Sequence, residues 1–213
     1  MFNKKQDFIE FTIHENILRF GKFTLKSGRI SPYFFNTGLC NNGLLLSKLA
    51  DFYSDYIHAT SLKYDFIFGP AYKGITLCSS ISQSLYVNYS INSPYAFNRK
   101  ETKDHGDMGK FVGCEVKGNA LIVDDVISSG TSIMDSIILL KQASSSCKDV
   151  LVAFNRMEIG KTKSASSELE IEQGVNMHYL IDLDDIYDYI KSNSKYSQHI
   201  EGMKEYMNKY RAT

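Results

Sequence analysis

The chain has 213 residues, of which 43% are apolar and 13% aromatic, so it is long and apolar enough for a globular domain with a sizeable core and is not a disordered chain. Lys and Arg together number 24, as do Asp and Glu, which gives a formal net charge of zero. A generic nucleic-acid binder usually carries a basic surplus, so we expect no nucleic-acid partner.

The first sixty residues predict two helices and a hairpin between them. Apolar residues recur with helical spacing from Ile9 to Phe20, and Gly21 is expected to end that helix. Alternating residues on both sides of a glycine turn predict the hairpin. The predicted elements are a helix over 3–20, a hairpin over 22–37 and a helix over 44–59.

The remainder of the chain alternates short apolar strands with helices. This order predicts βαβ units, and short strands without polar alternation fit a parallel sheet covered on both faces. The predicted strands lie at 64–68, 95–98, 120–123, 150–154 and 177–181, and the predicted helices at 74–86, 131–142, 184–192 and over the last twenty residues. The polar segment 156–175 predicts no element. The fold class is therefore α/β, with an N-terminal helix-and-hairpin cap.

The segment 120–132 has the chemistry of a sugar-phosphate site. An apolar strand is followed by Asp124 and Asp125, and then by a Ser/Gly/Thr loop that opens a helix. Small residues allow backbone N–H groups and a helix N-terminus to surround a phosphate. Carboxylates would repel that phosphate but can accept hydrogen bonds from two sugar hydroxyls. An ordinary acidic turn with a serine cap is the alternative. A nucleoside triphosphatase is disfavoured because no Walker A motif occurs.

Cysteine spacing and hydropathy indicate the cellular compartment in which the protein is expected. The four cysteines are widely separated and form no Cys-x-x-Cys pair, which predicts free thiols rather than disulfides or zinc ligands. The N-terminal segment lacks the apolar core of a signal peptide, and no run approaches the ~18 apolar residues of a membrane span. We therefore expect a cytoplasmic protein with no membrane partner.

The segment from Val123 to Thr131 resembles the phosphoribosyl pyrophosphate (PRPP) motif of the type I phosphoribosyltransferases. Three further blocks resemble the orotate phosphoribosyltransferases within that superfamily. They are the hood strands at 23–36, the pyrophosphate loop at 68–75 and the mobile catalytic loop at 97–106. The blocks occur in family order and cover roughly residues 8–156.

The resemblance implies a reaction and a fold. The reaction is orotate plus PRPP giving orotidine 5′-phosphate and pyrophosphate, in pyrimidine biosynthesis. The fold is that of type I phosphoribosyltransferases, a mostly parallel central sheet flanked by helices, with an N-terminal helix-and-hairpin hood. We expect one domain over 1–213, with the hood region at 1–60, the PRPP-binding core at 61–156 and a C-terminal strand and helices at 157–213.

The resemblance also implies roles for individual residues. PRPP would contact Lys26, Tyr72, Lys73, Arg99, Lys100, Lys103, His105, Asp124, Asp125, Val126, Ile127, Ser128, Ser129, Gly130, Thr131 and Ser132. Orotate would contact Lys26, Phe34, Phe35, Ser128 and Arg156, with Phe34 and Phe35 bracketing the ring and Arg156 pairing with the carboxylate. An ordinary buried strand is the alternative for the two phenylalanines, and at least one of their rings is expected in the core. The catalytic assignments are Lys100, Lys103, His105, Asp124 and Asp125.

Arg99, Lys100, Lys103 and His105 place four potential cations within seven residues. PRPP and the leaving pyrophosphate are strongly anionic, so cations there serve the chemistry. A solvated basic loop is the alternative. In the family this loop closes over the partner subunit's site, which implies a homodimer whose 99–110 lid reaches the partner. Lys103 is the residue expected to be essential for catalysis.

Magnesium is implied by the phosphate substrate, and we expect PRPP itself to hold the ion rather than a dedicated protein cage. The chain departs from the family pattern at Ser128, where threonine is expected, at Met108, where glycine is expected, and over 157–175. Two other functions remain open. A purine phosphoribosyltransferase would share the sugar-phosphate site but not the hood, and a PRPP-sensing regulator would bind PRPP without catalysis.

Overall fold

The computed structural model describes residues 3–25, 28–100, 109–160 and 162–212. The strands are β1 (Leu18–Thr24), β2 (Ile30–Phe35), β3 (Phe66–Gly69), β4 (Tyr95–Asn98), β5 (Phe111–Gly113), β6 (Asn119–Ile127), β7 (Ser146–Asn155) and β8 (Asn176–Asp182). The α-helices are α1 (Lys5–His14), α2 (Gly43–Thr60), α3 (Lys73–Tyr89), α4 (Thr131–Gln142), α5 (Ala165–Gln173), α6 (Leu183–Ser192) and α7 (Ile200–Tyr210).

Within the described residues, a six-stranded sheet has the order β5-β4-β3-β6-β7-β8. Its neighbours pair in parallel except β4 and β5, which pair antiparallel. Strands β1 and β2 form a separate antiparallel hairpin. The mostly parallel α/β sheet and the N-terminal helix and hairpin are the fold that the sequence predicts.

Alternate residues of the central strands enter two different cores. Leu121 and Val123 of β6 pack with residues of α1, α2, α3 and the hairpin. Ile122, between them, packs with residues of α4 and α5 on the other face. Successive strand residues point to opposite faces, so a strand that is covered on both sides must be apolar throughout. This explains why the strand segments of the sequence do not alternate.

The first helix is shorter than its periodicity suggests. α1 ends at His14, and Asn16 adopts a left-handed conformation with φ of 58°. Ile17 is buried next to the start of β1, and Phe20 belongs to that strand. Gly21 therefore does not end a helix. It lies inside β1, where the pairing with β2 shifts register between Phe20 and Phe23.

Two elements appear where the sequence predicts none. β5 is a three-residue edge strand at Phe111–Gly113. α5 lies in the polar segment 156–175, where the Ser164 side chain accepts a hydrogen bond from the Ser167 N–H and Gly174 ends the helix with φ of 67°. Leu169 is its largest buried side chain. One such residue gives too weak a periodicity to predict a helix.

The link from β3 to α3 brings two stretches of backbone unusually close. A side-chain carbon on Gly69 would lie 1.9 Å from the carbonyl oxygen of Gly74, so glycine is required. This contact places the 70–73 loop over the carboxyl edge of the sheet. The peptide between Ala71 and Tyr72 in that loop is cis. None of the helices in the described part of the chain is long and apolar enough to cross a membrane.

Candidate active site

Asp124 and Asp125 lie near the carboxyl end of β6, inside the strand. The sequence predicts the strand to end at Val123, but β6 continues to Ile127 because it remains paired with β7. The two aspartates therefore point to opposite faces of the sheet. Each is only 8% exposed. Because the two carboxylates belong to a paired strand, their positions are fixed more rigidly than they would be in a turn.

The two carboxylates have different partners. Asp124 Oδ2 accepts a 3.1 Å hydrogen bond from the Ser132 hydroxyl on α4. Asp125 Oδ2 accepts one of 2.9 Å from the Thr37 hydroxyl and one of 2.5 Å from the Lys73 ammonium. The Tyr53 hydroxyl of α2 also donates to the Asp124 backbone carbonyl at 2.7 Å. Elements on both faces of the sheet therefore hold the acid pair in place.

Burial makes Asp124 a weaker acid than an exposed aspartate. Desolvation, with a smaller contribution from the neighbouring Asp125 charge, raises the pKa of Asp124 to about 6. The hydrogen bond from Ser132 opposes this rise. Its Oδ1 accepts from the Asp125 backbone N–H and its Oδ2 from Ser132, so a hydroxyl-bearing ligand would use the remaining lone pairs of these oxygens.

The 126–132 loop, which runs from the end of β6 into the start of α4, is the segment predicted to cradle a phosphate. Ile127 is buried and Val126 is half-buried, and a phosphate could bond these apolar residues only through their backbone N–H groups. Gly130 has φ of 74° and turns the chain into α4, whose N-terminal N–H groups face the edge of the sheet. The hydroxyl-bearing residues around this turn are exposed: Ser128, Ser129, Thr131 and Ser132.

The 70–73 loop stands next to this cradle. Lys73, half exposed, reaches Asp125, and Tyr72 is 66% exposed with the Lys100 ammonium 4.7 Å from its ring centre. The Asn98 side chain accepts a 2.9 Å hydrogen bond from the Ala71 N–H and so ties the loop to β4. A cleft of about 310 Å³ lies between this loop and the start of α4, lined in part by Lys100, Thr131 and Ser132.

The hood does not present Phe34 and Phe35 on one side. Phe35 is buried and its ring centre lies 5.0 Å from that of Phe154, in the core. Phe34 lies on the opposite face of β2, 5.5 Å from the Phe23 ring and beneath Arg19. Neighbouring strand residues point in opposite directions, so the expectation that both rings bracket one flat ligand is wrong.

Arg156 follows β7 directly and is buried, at 7% exposure. Its backbone N–H bonds to the Ile127 carbonyl, which places it beside the phosphate cradle. Its Nε and Nη2 donate to Glu158 Oε1 at 2.8 and 2.6 Å, and its guanidinium stacks 4.9 Å from the Tyr33 ring centre. Burial lowers the pKa of Arg156, but the Glu158 carboxylate and its hydrogen bond outweigh this effect and leave the pKa above its usual value.

Three of the predicted site residues lie outside the described residues: Lys26, Lys103 and His105. Of the remaining lid residues, Arg99 is half-buried and its N–H bonds to the Lys110 carbonyl, whereas Lys100 is exposed. The structure thus brings together the acid pair, the 126–132 loop, Tyr72, Lys73 and Lys100 at one edge of the sheet. Arg156 reaches the same edge from β7.

Four residues contribute to this site without having been singled out by the sequence: Thr37, Tyr53, Asn98 and Glu158. Thr37 follows the hood strand by two positions, and Asn98 directly precedes the basic cluster. Thr37 directly follows the 23–36 block and Asn98 lies within the 97–106 block, and these positions were the only available signal. Tyr53 reads as an ordinary core residue of α2, and Glu158 lies in a segment that matches no family block.

Comparison with known proteins identifies close relatives. Residues 39–180 match the family described as phosphoribosyl transferase domain. An orotate phosphoribosyltransferase of Mannheimia succiniciproducens is 45% identical over 211 residues, covering 99% of each chain. One of Haemophilus influenzae is 46% identical over 203 residues, covering 95% of each chain. A crystal structure of orotate phosphoribosyltransferase from Francisella tularensis is 40% identical, has a TM-score of 0.87 and covers 97% of this chain and 100% of its own.

Proposed function

This chain belongs to the orotate phosphoribosyltransferases, and from that membership we propose that it transfers the 5-phosphoribosyl group of PRPP to orotate, giving orotidine 5′-phosphate and pyrophosphate in pyrimidine biosynthesis. The observation that carries the proposal is the buried pair of Asp124 and Asp125 beside the 126–132 loop. A phosphate cradle next to two hydroxyl-accepting carboxylates fits a ribose 5-phosphate.

We assign the acid pair to the ribose hydroxyls and the 126–132 loop to the 5-phosphate. As pyrophosphate leaves, the ribosyl ring develops positive charge. Carboxylates held in a buried site stabilise such charge better than carboxylates in water, because the site is already organised and the dielectric is low. Tyr72, Lys73, Arg99 and Lys100 stand on the side from which the pyrophosphate would leave. Lys26, Lys103 and His105 complete the proposed PRPP set on family resemblance.

We assign Arg156 to the orotate carboxylate. It is the buried guanidinium next to the cradle, and its Nη1 makes no hydrogen bond within the described part of the chain. A guanidinium fork matches a carboxylate in shape and charge. Ser128, exposed at the edge of the loop, Lys26 and the 34–35 segment are the other proposed orotate contacts. Because the Phe34 and Phe35 rings face opposite ways, at most one of them can stack on the base.

We propose Mg²⁺ as the cofactor. The described residues contain no group of three or more His, Cys, Asp and Glu side chains that could hold a metal ion. PRPP itself would hold the ion, mainly through its phosphates together with water, while Asp124 and Asp125 bind the ribose hydroxyls. The bound ion would neutralise charge on the departing pyrophosphate. Activity should vanish with a chelator and return on titration with Mg²⁺.

The assay for the reaction is direct. Orotate absorbance should fall when PRPP and Mg²⁺ are added to the protein, and orotidine 5′-phosphate and pyrophosphate should appear in equal amounts. Consumption of adenine, hypoxanthine or uracil with orotate untouched would make the protein a different phosphoribosyltransferase. Binding of PRPP without consumption of any base would instead make it a regulator.

We propose a homodimer in which the 99–110 lid of one subunit reaches the partner's site, within a chain divided into hood (1–60), PRPP-binding core (61–156) and C-terminal part (157–213). Light scattering would give the subunit number. Mixing an inactive Lys103→Ala variant with an inactive Asp125→Asn variant should restore activity, because a mixed dimer holds one intact pair of lid and acids. If the mixture recovers no activity after the subunits have exchanged, the two subunits do not share a site. A cytoplasmic location is proposed on the same family grounds.

A further inference from the structure

A cluster of buried polar side chains lies where the hood, the end of β7 and the C-terminal helix meet. We call it the Glu158 cluster, and its members are Arg29, Tyr33, Arg156, Glu158 and Tyr206. Glu158 is 6% exposed and stands at its centre. Its Oε1 accepts hydrogen bonds from Arg156 and, at 2.5 Å, from the Tyr206 hydroxyl of α7. Its Oε2 lies 3.3 Å from Arg29 Nη1 on the hood.

The cluster carries an excess of positive charge. Among the described residues, Glu158 is the only carboxylate paired with either guanidinium, so one negative charge faces Arg29 and Arg156 together. Water can solvate Arg29, whose side chain is 32% exposed, but Arg156 is buried and shares its counterion in the described chain with Arg29. An anionic group beside Arg156 would complete its charge pairing, and the orotate carboxylate would bring that charge.

The hydrogen bonds also determine which part of Arg156 faces a ligand. Nε and Nη2 are both committed to Glu158 Oε1, and the face of the guanidinium rests on the Tyr33 ring. Nη1 is left without a partner in the described chain. An arginine held on two of its three nitrogens has lost its rotamer freedom before any ligand binds, so binding costs less entropy.

We propose that Glu158 is a positioning residue for base recognition. It orients Arg156 toward the orotate carboxylate. The hydroxyl of Tyr206 holds Glu158 in turn, so the C-terminal helix α7 also supports this arrangement. The inference rests on the proposed function, because it assumes that Arg156 receives orotate. It also gives a role to the segment after 156, where the chain resembles its family least in sequence. PRPP would bind in the cradle and at the acid pair, and none of the hydrogen bonds of Glu158 in the described chain goes to either, so PRPP binding should be unaffected by Glu158.

Two substitutions and one matched control test the proposal. Tyr206→Phe removes the hydroxyl that donates to Glu158 Oε1 and accepts a longer, 3.4 Å hydrogen bond from Arg156 Nη2, and Glu158→Gln removes the charge while keeping the shape. Tyr210→Phe is the control, since Tyr210 lies one turn along the same helix and its hydroxyl makes no hydrogen bond in the described chain. Measurements are KM for orotate, KM for PRPP, kcat and the thermal midpoint, with calorimetric titration of orotate.

Tyr206→Phe should raise KM for orotate about 3- to 10-fold, because the lost hydroxyl acts on orotate only through Glu158 and Arg156. Glu158→Gln should raise it about 10-fold or more, because Arg156 then loses its charged partner. KM for PRPP and the thermal midpoint should stay close to wild type in Tyr206→Phe, and Tyr210→Phe should match wild type throughout.

A general structural role would give a different result. Equal rises in both KM values, or a Tyr206→Phe protein that behaves like Tyr210→Phe, would overturn the positioning role in an enzyme that still uses orotate. A wild-type protein that consumes no orotate would instead overturn the proposed function, and this inference with it.

Discussion

Thr37, just after the hood hairpin, donates a 2.9 Å hydrogen bond from its hydroxyl to Oδ2 of Asp125, in the sugar-phosphate site. The two residues are 88 positions apart in the chain, and both are buried. The same Asp125 oxygen accepts from Lys73 of the 70–73 loop. One carboxylate oxygen therefore joins the hood, the acid pair and the proposed pyrophosphate loop.

Thr37→Val should weaken PRPP binding. The substitution keeps the shape of the side chain but removes the donor, so Asp125 loses the bond that fixes its rotamer. A hydrogen bond to a charged group contributes about 1.5–3 kcal/mol, which predicts a rise of roughly 10-fold or more in KM for PRPP. Thr37→Ser retains the hydroxyl and should stay near wild type. Equal kinetics for the valine and serine variants would show that the bond has no role in binding.

Lys73→Met should weaken pyrophosphate binding. Lys73 itself is half exposed, but the side chain of its partner Asp125 is only 11% exposed, so the loss of the ammonium should also lower the thermal midpoint. In the reverse reaction, KM for pyrophosphate should rise by about 10-fold or more, because a charged contact to the phosphates is lost. Lys141→Met, which removes an exposed lysine at the far end of α4, is the control. If both variants bind pyrophosphate like wild type, Lys73 has no such contact.

Asp124→Asn should change how stability depends on pH. The pKa of Asp124 is raised to about 6 by burial, so the folded protein holds this proton more tightly than the unfolded chain does. The free energy of unfolding of wild type should therefore fall relative to that of Asp124→Asn as the pH rises from about 4 to about 6. Above pH 6 the difference should persist. The upper limit is roughly 3 kcal/mol for a shift of about two pKa units.

Urea unfolding of both proteins from pH 4.5 to 8 measures this difference. Asp188→Asn, which removes a well-exposed carboxylate on α6, is the control and should show no comparable trend. A constant difference between wild type and Asp124→Asn across the range would mean that Asp124 titrates as an ordinary aspartate. Activity should be largely lost in Asp124→Asn at every pH, since the charge is then absent.

Gly69→Ala should destabilise the protein severely. The added carbon would lie 1.9 Å from the Gly74 carbonyl oxygen and 2.8 Å from the Cys78 sulfur, so β3 and α3 would have to separate. Forced repacking of this kind typically costs about 3 kcal/mol or more. Gly43→Ala, at the start of α2 with nothing within 4 Å, should be neutral or slightly stabilising. Thermal midpoints of the two variants, measured together, test the steric argument.

Lys103→Ala should reduce kcat strongly while leaving the dissociation constants of PRPP and orotate near wild type. The expectation comes from family resemblance and from the anionic charge that develops on pyrophosphate, since Lys103 lies outside the described residues. Lys117→Ala removes an exposed lysine from the loop before β6 and serves as the control. Single-turnover kinetics would separate chemistry from product release, and an unchanged rate of the chemical step would refute the assignment.

The sequence by itself determined the fold class and the family, and it placed the predicted sugar-phosphate site on one contiguous segment. Apolar strands that alternate with helices specify a covered parallel sheet, because each strand must be apolar on both faces. Asp124, Asp125 and the loop that follows them are contiguous, so their order in the chain is also their order in the site. Local patterns of this kind can be read without coordinates, and the relatives confirm the family that they indicate.

Only the tertiary structure decided which residues hold the site. No local sequence pattern predicts that Thr37 contacts Asp125 or that Glu158 contacts Arg29, because these pairs meet only when distant elements pack together. Which of the Phe34 and Phe35 rings enters the core depends on how the hairpin packs against the sheet. The early end of α1 depends on Ile17 being buried in the core rather than continuing a helical face. Periodicity describes one segment at a time, whereas these features arise from competition between segments for the same core.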